Sequence, residues 1–244
     1  MIFVNIDGPH FAITSFTGNN WPLAAAGETM QPSVFVVDED VAVRDGLKEM
    51  LEAHAFRVTE FATAEEFVER YSPDQPGCLL LDLQLPGMSG TDLQEQLLAK
   101  DIHVPIIFLT GNGDISSSVR ALKAGAVDFL EKPPENDVLL ERLRAALAID
   151  CQRRLKAAAC HEIKDRFATL TAREREVMAL VIDGHSNKDI ARRLHISHRT
   201  VEIHRRRVLR KMETSSVYDM AKTSRRCGLF PENAEPTATS QAQP

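Results

Sequence analysis

The sequence predicts two folds in tandem, an α/β domain on a doubly wound five-stranded parallel sheet and then a small all-α domain of four helices. Three observations carry that expectation. Five short β-rich runs, at residues 34–37, 57–61, 78–81, 106–110 and 127–130, are each followed by a helix-like segment, the alternation that covers a parallel sheet on both faces. Beyond Thr171 the β-rich runs stop and helix-start residues recur at short intervals. The charge divides at the same break: residues 31–135 carry 8 basic and 19 acidic side chains, and residues 160–230 carry 16 basic and 9 acidic. A net charge of −6 thus hides an acidic domain suited to cations and a basic one suited to a polyanion.

A chain of 244 residues with 43% hydrophobic content can enclose two modest cores. No apolar run approaches the roughly 18 residues that span a bilayer. The N-terminal region also lacks the basic start and apolar stretch of a secretory signal, so the expected location is cytoplasmic, without membrane contact. The four cysteines form no CxxC pair and are expected as free thiols, neither a disulfide framework nor a zinc site. The histidines make no HExxH, and His195, His198 and His204 suit surface or packing roles.

Residues 1–30 show no sustained period and read as a mobile extension, with Met30 as an alternative start. In the first domain, expected at residues 32–148, Thr63 and Glu66 make a capping box, Asp114 can N-cap a helix, and Gly125 suits that helix's left-handed end. The last helix begins near Asn136. Leu143, Leu147, Leu155 and Ala159 continue its pattern with no Pro or Gly before Phe167, so residues 149–166 read as a helical linker. A helix ending near Asp150 and then a flexible linker also fits this polar, weakly periodic stretch.

The second domain, expected at residues 167–229, opens on a capping box of Thr171 and Glu174, and Gly184 marks the end of that helix. Asn187 can cap the next helix, Ser197 the third, and Ser215 or Ser216 a fourth, stopped by Gly228. Residues 230–244, rich in Ala, Thr, Gln and Pro, read as disordered.

Open parallel sheets bind ligands outside the carboxyl ends of their strands, and the conspicuous polar residues of the first domain fall there. Asp38 and Glu39 follow the first run, Asp82 ends the third, Thr110 ends the fourth and Lys132 follows the fifth. Three carboxylates in one pocket repel one another and favour a hard divalent cation, Mg²⁺ above all. A carboxylate beside such a cation can attack phosphorus and become an acyl phosphate, while an ammonium neutralises the phosphoryl oxygens and a hydroxyl donates to one of them. Asp82, Lys132 and Thr110 have that chemistry. The competing reading is a haloacid-dehalogenase-type phosphatase using Asp38 and Asp40. It lacks a further acidic pair on a strand end, because only helix-like Glu135, Asp137 and Glu141 follow the Lys.

Over about residues 32–150 the motifs VFVVDED, LLLDLQLPGMSG, IIFLTGNGD and AGAVDFLEKP resemble the receiver domain of bacterial two-component response regulators. The resemblance implies a flavodoxin-like sheet in the order 2-1-3-4-5, with Asp82 as the phosphoryl acceptor. It implies a Mg²⁺ site of Asp38, Glu39, Asp82 and the Gln84 backbone carbonyl, and a switch pair of Thr110 and Phe129. Lys132 would be the phosphate partner, preceding a cis Pro133, and the face including residues 119–123 and 127–131 would repack on phosphorylation. Glu39 stands where Asp is commoner, and Pro134 where an aromatic is frequent. The implied donor is a sensor histidine kinase. Beyond Mg²⁺-dependent autophosphotransfer and slow autodephosphorylation, no enzymatic activity is expected.

In the second domain a helix over residues 200–212 turns about 100° per residue. Val201, Val208 and Met212 then share a core face, and Ile203, Arg206, Arg207 and Arg210 project from the other. Residues 199–211 hold six basic side chains and one acidic, behind a capped scaffold helix and a short turn, a pattern suited to the major groove of DNA. Glu202, Ile203 and Arg206 are the expected base readers, with Glu202 accepting from cytosine and Arg206 bridging guanine O6 and N7, and Thr200 at the helix start is expected among the DNA-binding residues. Lys188, Arg192, Arg199, Arg207 and Arg210 are expected on phosphates.

The segment LTAREREVMALVIDGHSNKDIARRLHISHRTVEIHRRRVLRKM resembles the LuxR-type helix-turn-helix over about residues 168–228, and with the receiver the chain resembles a FixJ-type regulator. That implies phosphorylation-controlled transcription regulation, with a homodimer formed on phosphorylation, promoter DNA as partner and RNA polymerase as a further one. On the last helix Val217, Met220 and Ala221 suit a core face and a self-association surface equally.

Overall fold

The computed structural model describes residues 31–111 and 121–230, which form two compact units dividing between Arg154 and Leu155. The expectations for residues 1–30, for Asp114, for Val119 and for the tail beyond Phe230 lie outside the described residues.

The first unit is a sheet of β1 (Ser33–Val37), β2 (Arg57–Phe61), β3 (Gly77–Asp82), β4 (Ile106–Thr110) and β5 (Asp128–Glu131). All neighbours are parallel, in the order β2-β1-β3-β4-β5. The inner strands β1, β3 and β4 are buried along their whole length, which is why their apolar runs are continuous where a half-exposed strand would alternate. Pairing Val37 with Leu81, Asp82 with Leu109 and Thr110 with Glu131 aligns the carboxyl ends along one edge.

The strands are connected through α1 (Val41–Ala53), α2 (Ala64–Arg70) and α3 (Gly90–Ala99). At the N-terminus of α2, Thr63 Oγ1 accepts from the Glu66 N–H at 3.1 Å, but the Glu66 carboxylate reaches one residue further back, to the Ala62 N–H at 2.8 Å. Only half of the expected capping box forms. Before β5 a helical stretch ends in a turn at Gly125 (φ +96°), whose N–H meets the Leu122 carbonyl, the left-handed termination that the sequence suggested.

Helix α4 (Asn136–Ala168) is continuous through the stretch where a flexible linker was open. It buries Leu139, Leu140, Leu143, Ala146 and Leu147 on the first unit. Its polar stretch contains an anchor that periodicity does not reveal. Asp150 is fully buried and accepts from the Gly77 N–H at 3.0 Å, from Arg153 at 2.6 Å and from Arg154 at 2.7 Å. Arg154 also donates to the carbonyls of Pro73, Asp74 and Gln75. A buried carboxylate is tolerated where, as here, it is paired and hydrogen-bonded.

In the second unit α5 (Ala172–Ile182), α6 (Asn187–Leu194), α7 (His198–Lys211) and α8 (Val217–Arg226) enclose a core that includes Val177, Met178, Ile190, Val201, Val208 and Met220. The Thr171–Glu174 capping box forms with both of its bonds. The N-cap of α6 is Ser186 and not Asn187: Ser186 Oγ accepts from the Asp189 N–H at 3.2 Å, while the Asn187 side chain accepts from Arg205 at 2.7 Å. Ser197 and Ser216 cap α7 and α8.

Met220 is in the core, and Val217 and Ala221 pack against it partly buried, as a core face requires. Phe230, expected in the tail, meets Phe167 edge-on with ring centroids 5.7 Å apart. Cys160 and Cys227 are joined in a disulfide with Cα atoms 5.2 Å apart, against the expectation of free thiols. They lie 67 positions apart in the chain, so packing and not spacing brings them together. Cys78 and Cys151 are free and buried. No helix among the described residues is long and apolar enough to cross a membrane.

Candidate acidic site and nucleic-acid interface

At the carboxyl edge of the sheet the Lys132 Nζ lies 2.5 Å from Asp38 Oδ2 and 2.8 Å from Asp82 Oδ2. Both carboxylates are buried. Strand order puts them there, since Asp38 follows β1, Asp82 ends the adjacent β3, and Lys132 follows β5 with its N–H bonded to the Thr110 carbonyl at 2.7 Å. The Lys132–Pro133 peptide is cis. Burial disfavours the Lys132 ammonium, but the hydrogen bonds and charges of Asp38 and Asp82 outweigh burial and hold its pKa above the ordinary lysine value. Asp38 Oδ1 accepts from the Asp40 N–H at 3.0 Å, and Asp82 Oδ1 from the Gln84 N–H at 3.2 Å. Thr110 is buried at the end of β4, and Phe129 on β5 is half-buried with its ring 6.2 Å from that of Phe108.

Glu39 does not join this pair. It is exposed, and among the described residues no group of three His, Cys, Asp or Glu side chains is gathered to hold a metal. Glu39 stands in the bend between the end of β1 and the start of α1, where the chain turns out to solvent. The residues present still fit a hard cation. Buried Asp38 Oδ2 is met by the Lys132 ammonium, and a carboxylate oxygen has two acceptor sites, so it keeps a lone pair for a further electrophile.

Three residues absent from the sequence-based site also shape this edge. Arg44 donates to the carbonyls of Asp38 and Glu39 at 2.6 and 3.0 Å. Glu65 accepts from the Met88 N–H at 3.0 Å and so restrains the loop after β3. Gly90 begins α3 against the backbone of Asp82, where an added Cβ would stand 2.2 Å from the Asp82 carbonyl oxygen. A glycine opening a helix, where propensity gives it no advantage, was the available sequence signal. Gly90→Ala is expected to displace the end of β3 and to lower the stability of the first unit by about 1–3 kcal/mol. A urea titration would read this, and an unchanged midpoint would show that the contact relaxes without cost.

On α7 the two faces are those of the periodicity. Val201, Val208 and Met212 are buried; Ile203 is 44% exposed, and Glu202, Arg206, Arg207 and Arg210 are exposed. The Thr200 N–H and hydroxyl both meet Ser197 Oγ, at 3.0 and 2.7 Å, so Thr200 is partly committed to the cap. Glu202 stands 3.5 Å from His198 Nδ1. Lys188 and Arg199 are exposed, as is Arg192, which pairs with Asp189.

Arg205 has a different task, because its bond to Asn187 ties α7 to the start of α6. The C-terminal end of α7 is tied by Lys211, which donates to the Thr169 carbonyl at 3.0 Å and to buried Glu174 at 2.6 Å. Burial alone would raise the Glu174 carboxyl pKa. Lys211 and Thr171 outweigh it and hold that pKa below its usual value. The cationic face is thus presented by a helix fastened at its middle and at its C-terminal end.

Residues 34–144 match the family described as response regulator receiver domain, and residues 168–223 match bacterial regulatory proteins of the luxR family. Nodulation protein W of Bradyrhizobium diazoefficiens is 41% identical over 204 residues, which is 84% of this chain and 90% of that protein. Response regulator protein TodT of Pseudomonas putida is 39% identical over 193 residues, 79% of this chain and 85% of that one. A low-resolution structure of the response regulator StyR is 42% identical with a TM-score of 0.72, over 80% of this chain and 98% of that one.

Proposed function

The chain belongs to the bacterial response regulators that join a receiver domain to a LuxR-type DNA-binding domain, and we propose that Asp82 is its phosphoryl acceptor and the exposed face of α7 its promoter reader. As a member of that family it is a phosphorylation-controlled transcription regulator, acting on DNA and not on a substrate to be turned over. The observation that carries the assignment is the Lys132 ammonium held between buried Asp38 and Asp82, on an edge that also carries buried Thr110.

In the proposed reaction a partner histidine kinase presents a phosphohistidine. An Asp82 carboxylate oxygen attacks phosphorus, the P–N bond breaks, and the histidine nitrogen takes up a proton. Lys132 neutralises one phosphoryl oxygen and the Thr110 hydroxyl donates to another. Receiver domains use Mg²⁺; here Asp38, Asp82 and the Gln84 carbonyl would hold it, with Glu39 adding charge from the solvent side, and it would neutralise charge on the phosphoryl oxygens.

Phosphorylation gives Lys132 and Thr110 a new common partner, and Phe129 on the neighbouring strand moves with Thr110. Such a group shifts a two-state element only by its differential interaction with the two states. The favoured state dimerises and binds a two-fold promoter site in the cytoplasm, beside RNA polymerase. We assign the receiver to residues 32–148, the linker to 149–166 and the DNA-binding domain to 167–229. The experiment is a footprint on promoter DNA with and without acetyl phosphate and Mg²⁺. Protection should appear at lower protein concentration with the donor, and equal protection in both arms would overturn the control.

Glu202, Ile203 and Arg206 read bases in this assignment, Thr200 meets the DNA beside them at the start of α7, and Lys188, Arg192, Arg199, Arg207 and Arg210 hold phosphates. Arg206→Ala is expected to weaken binding to the preferred site by about 1–3 kcal/mol and to relax sequence preference at one base position. Competition gel shifts against single-base variants of the site measure this, and an undiminished preference would remove Arg206 from the readers.

A further inference from the structure

We propose that Cys160 and Cys227 are a reversible thiol–disulfide pair whose oxidation clamps α4 onto the end of α8. On α4, residues 160, 163 and 167 share one helix face. Ile163 and Phe167 pack against the core of the second unit, and Phe167 also meets Phe230 beyond α8. Cys160 lies about one turn before Ile163 and meets Cys227, the C-cap of α8, just before the chain turns away at Gly228 (φ +73°).

The non-covalent grip on this face therefore begins at Ile163, and the sulfur bridge extends it by one turn. Lys156, Ala157 and Ala158, two to four residues before Cys160, are exposed, so the bridge is the cross-link nearest to them. The Cα separation of 5.2 Å lies within the usual disulfide range of about 4.4–6.8 Å. Cys160 is half-buried and so reachable by a small oxidant, whereas Cys78 and Cys151 are buried in the first unit. A protein that works on DNA sits with the thiol-reducing pool, where a disulfide is made and unmade and does not persist as a fixed staple.

The oxidant is a low-molecular-weight disulfide. The thiolate of Cys160 attacks one of its sulfurs, forming a mixed disulfide and releasing one thiol. The thiolate of Cys227 then attacks the Cys160 sulfur and releases the second. The protein loses two electrons and two protons, and the small disulfide gains both.

The test uses the full chain equilibrated with oxidised glutathione and then with dithiothreitol. Non-reducing peptide mapping should find the Cys160–Cys227 link in the first state and free thiols in the second. Backbone hydrogen exchange over residues 155–162 should be at least about 5-fold slower in the linked form. Cys160→Ser should show the faster exchange in both states. Glutathione adducts or free thiols in place of the link, a link that leaves exchange unchanged, or a Cys160→Ser chain that still slows on oxidation would each overturn the proposal.

Discussion

Asp82→Asn is expected to abolish phosphoryl uptake from acetyl phosphate or a kinase, a loss of about 100-fold or more in labelling rate, because an amide offers no anionic oxygen to phosphorus. The fold should survive the change. Asp82 accepts the Gln84 N–H at 3.2 Å, which an amide oxygen can also accept, and the Lys132 ammonium keeps its contact with Asp38 at 2.5 Å. Loss of labelling would therefore report on the nucleophile and not on collapse of the edge. Phosphodonor-dependent DNA binding should disappear with it, since the donor would have no other route to α7. Radiolabelled phosphodonor uptake followed by a gel shift reads both steps. Uptake at the wild-type rate would sink the assignment of Asp82, whereas lost uptake with a retained donor effect on DNA would sink only its control of the DNA-binding unit.

Asp150→Ala is expected to destabilise the first unit by about 3 kcal/mol or more. The substitution removes the common acceptor of the Gly77 N–H, Arg153 and Arg154. What remains is a mostly buried Arg154 cation that has lost its carboxylate and keeps neutral partners such as the carbonyls of Pro73, Asp74 and Gln75. Half-exposed Arg153 can turn to water, so most of the cost falls on Arg154 and on the Gly77 N–H. Asp150→Asn should lose less, because it keeps an acceptor oxygen while giving up the charge. Urea unfolding of the full chain, followed at its first transition, should rank wild type above Asp150→Asn and that above Asp150→Ala. An Asp150→Ala midpoint within error of wild type would show that the network is replaced by water without loss.

These two residues mark the boundary of what was legible in the chain. Asp82 could be read because strand ends are local events: a β-rich run stops, and whatever polar residue follows lies at the carboxyl edge, whichever strands become neighbours. Asp38, Thr110 and Lys132 were legible for the same reason, and so were the two faces of α7, which follow from the rotation per residue. Asp150 lay in a polar helical stretch whose pattern suggests solvent, and its partner Gly77 is 73 positions away.

The sequence by itself determined the alternation of strands and helices, the parallel sheet, the ordered polar residues at its edge and the basic face of α7. Each depends on periodicity, on capping within a few residues or on local charge. Only the tertiary structure decided that Lys132 sits between Asp38 and Asp82 while Glu39 faces solvent, and that Arg205 fastens α7 to Asn187 and is not part of its outward face. It likewise decided that Asp150 anchors α4 and that Cys160 meets Cys227. Each of these pairings joins side chains from separate elements, and packing alone selects which distant partner a side chain meets.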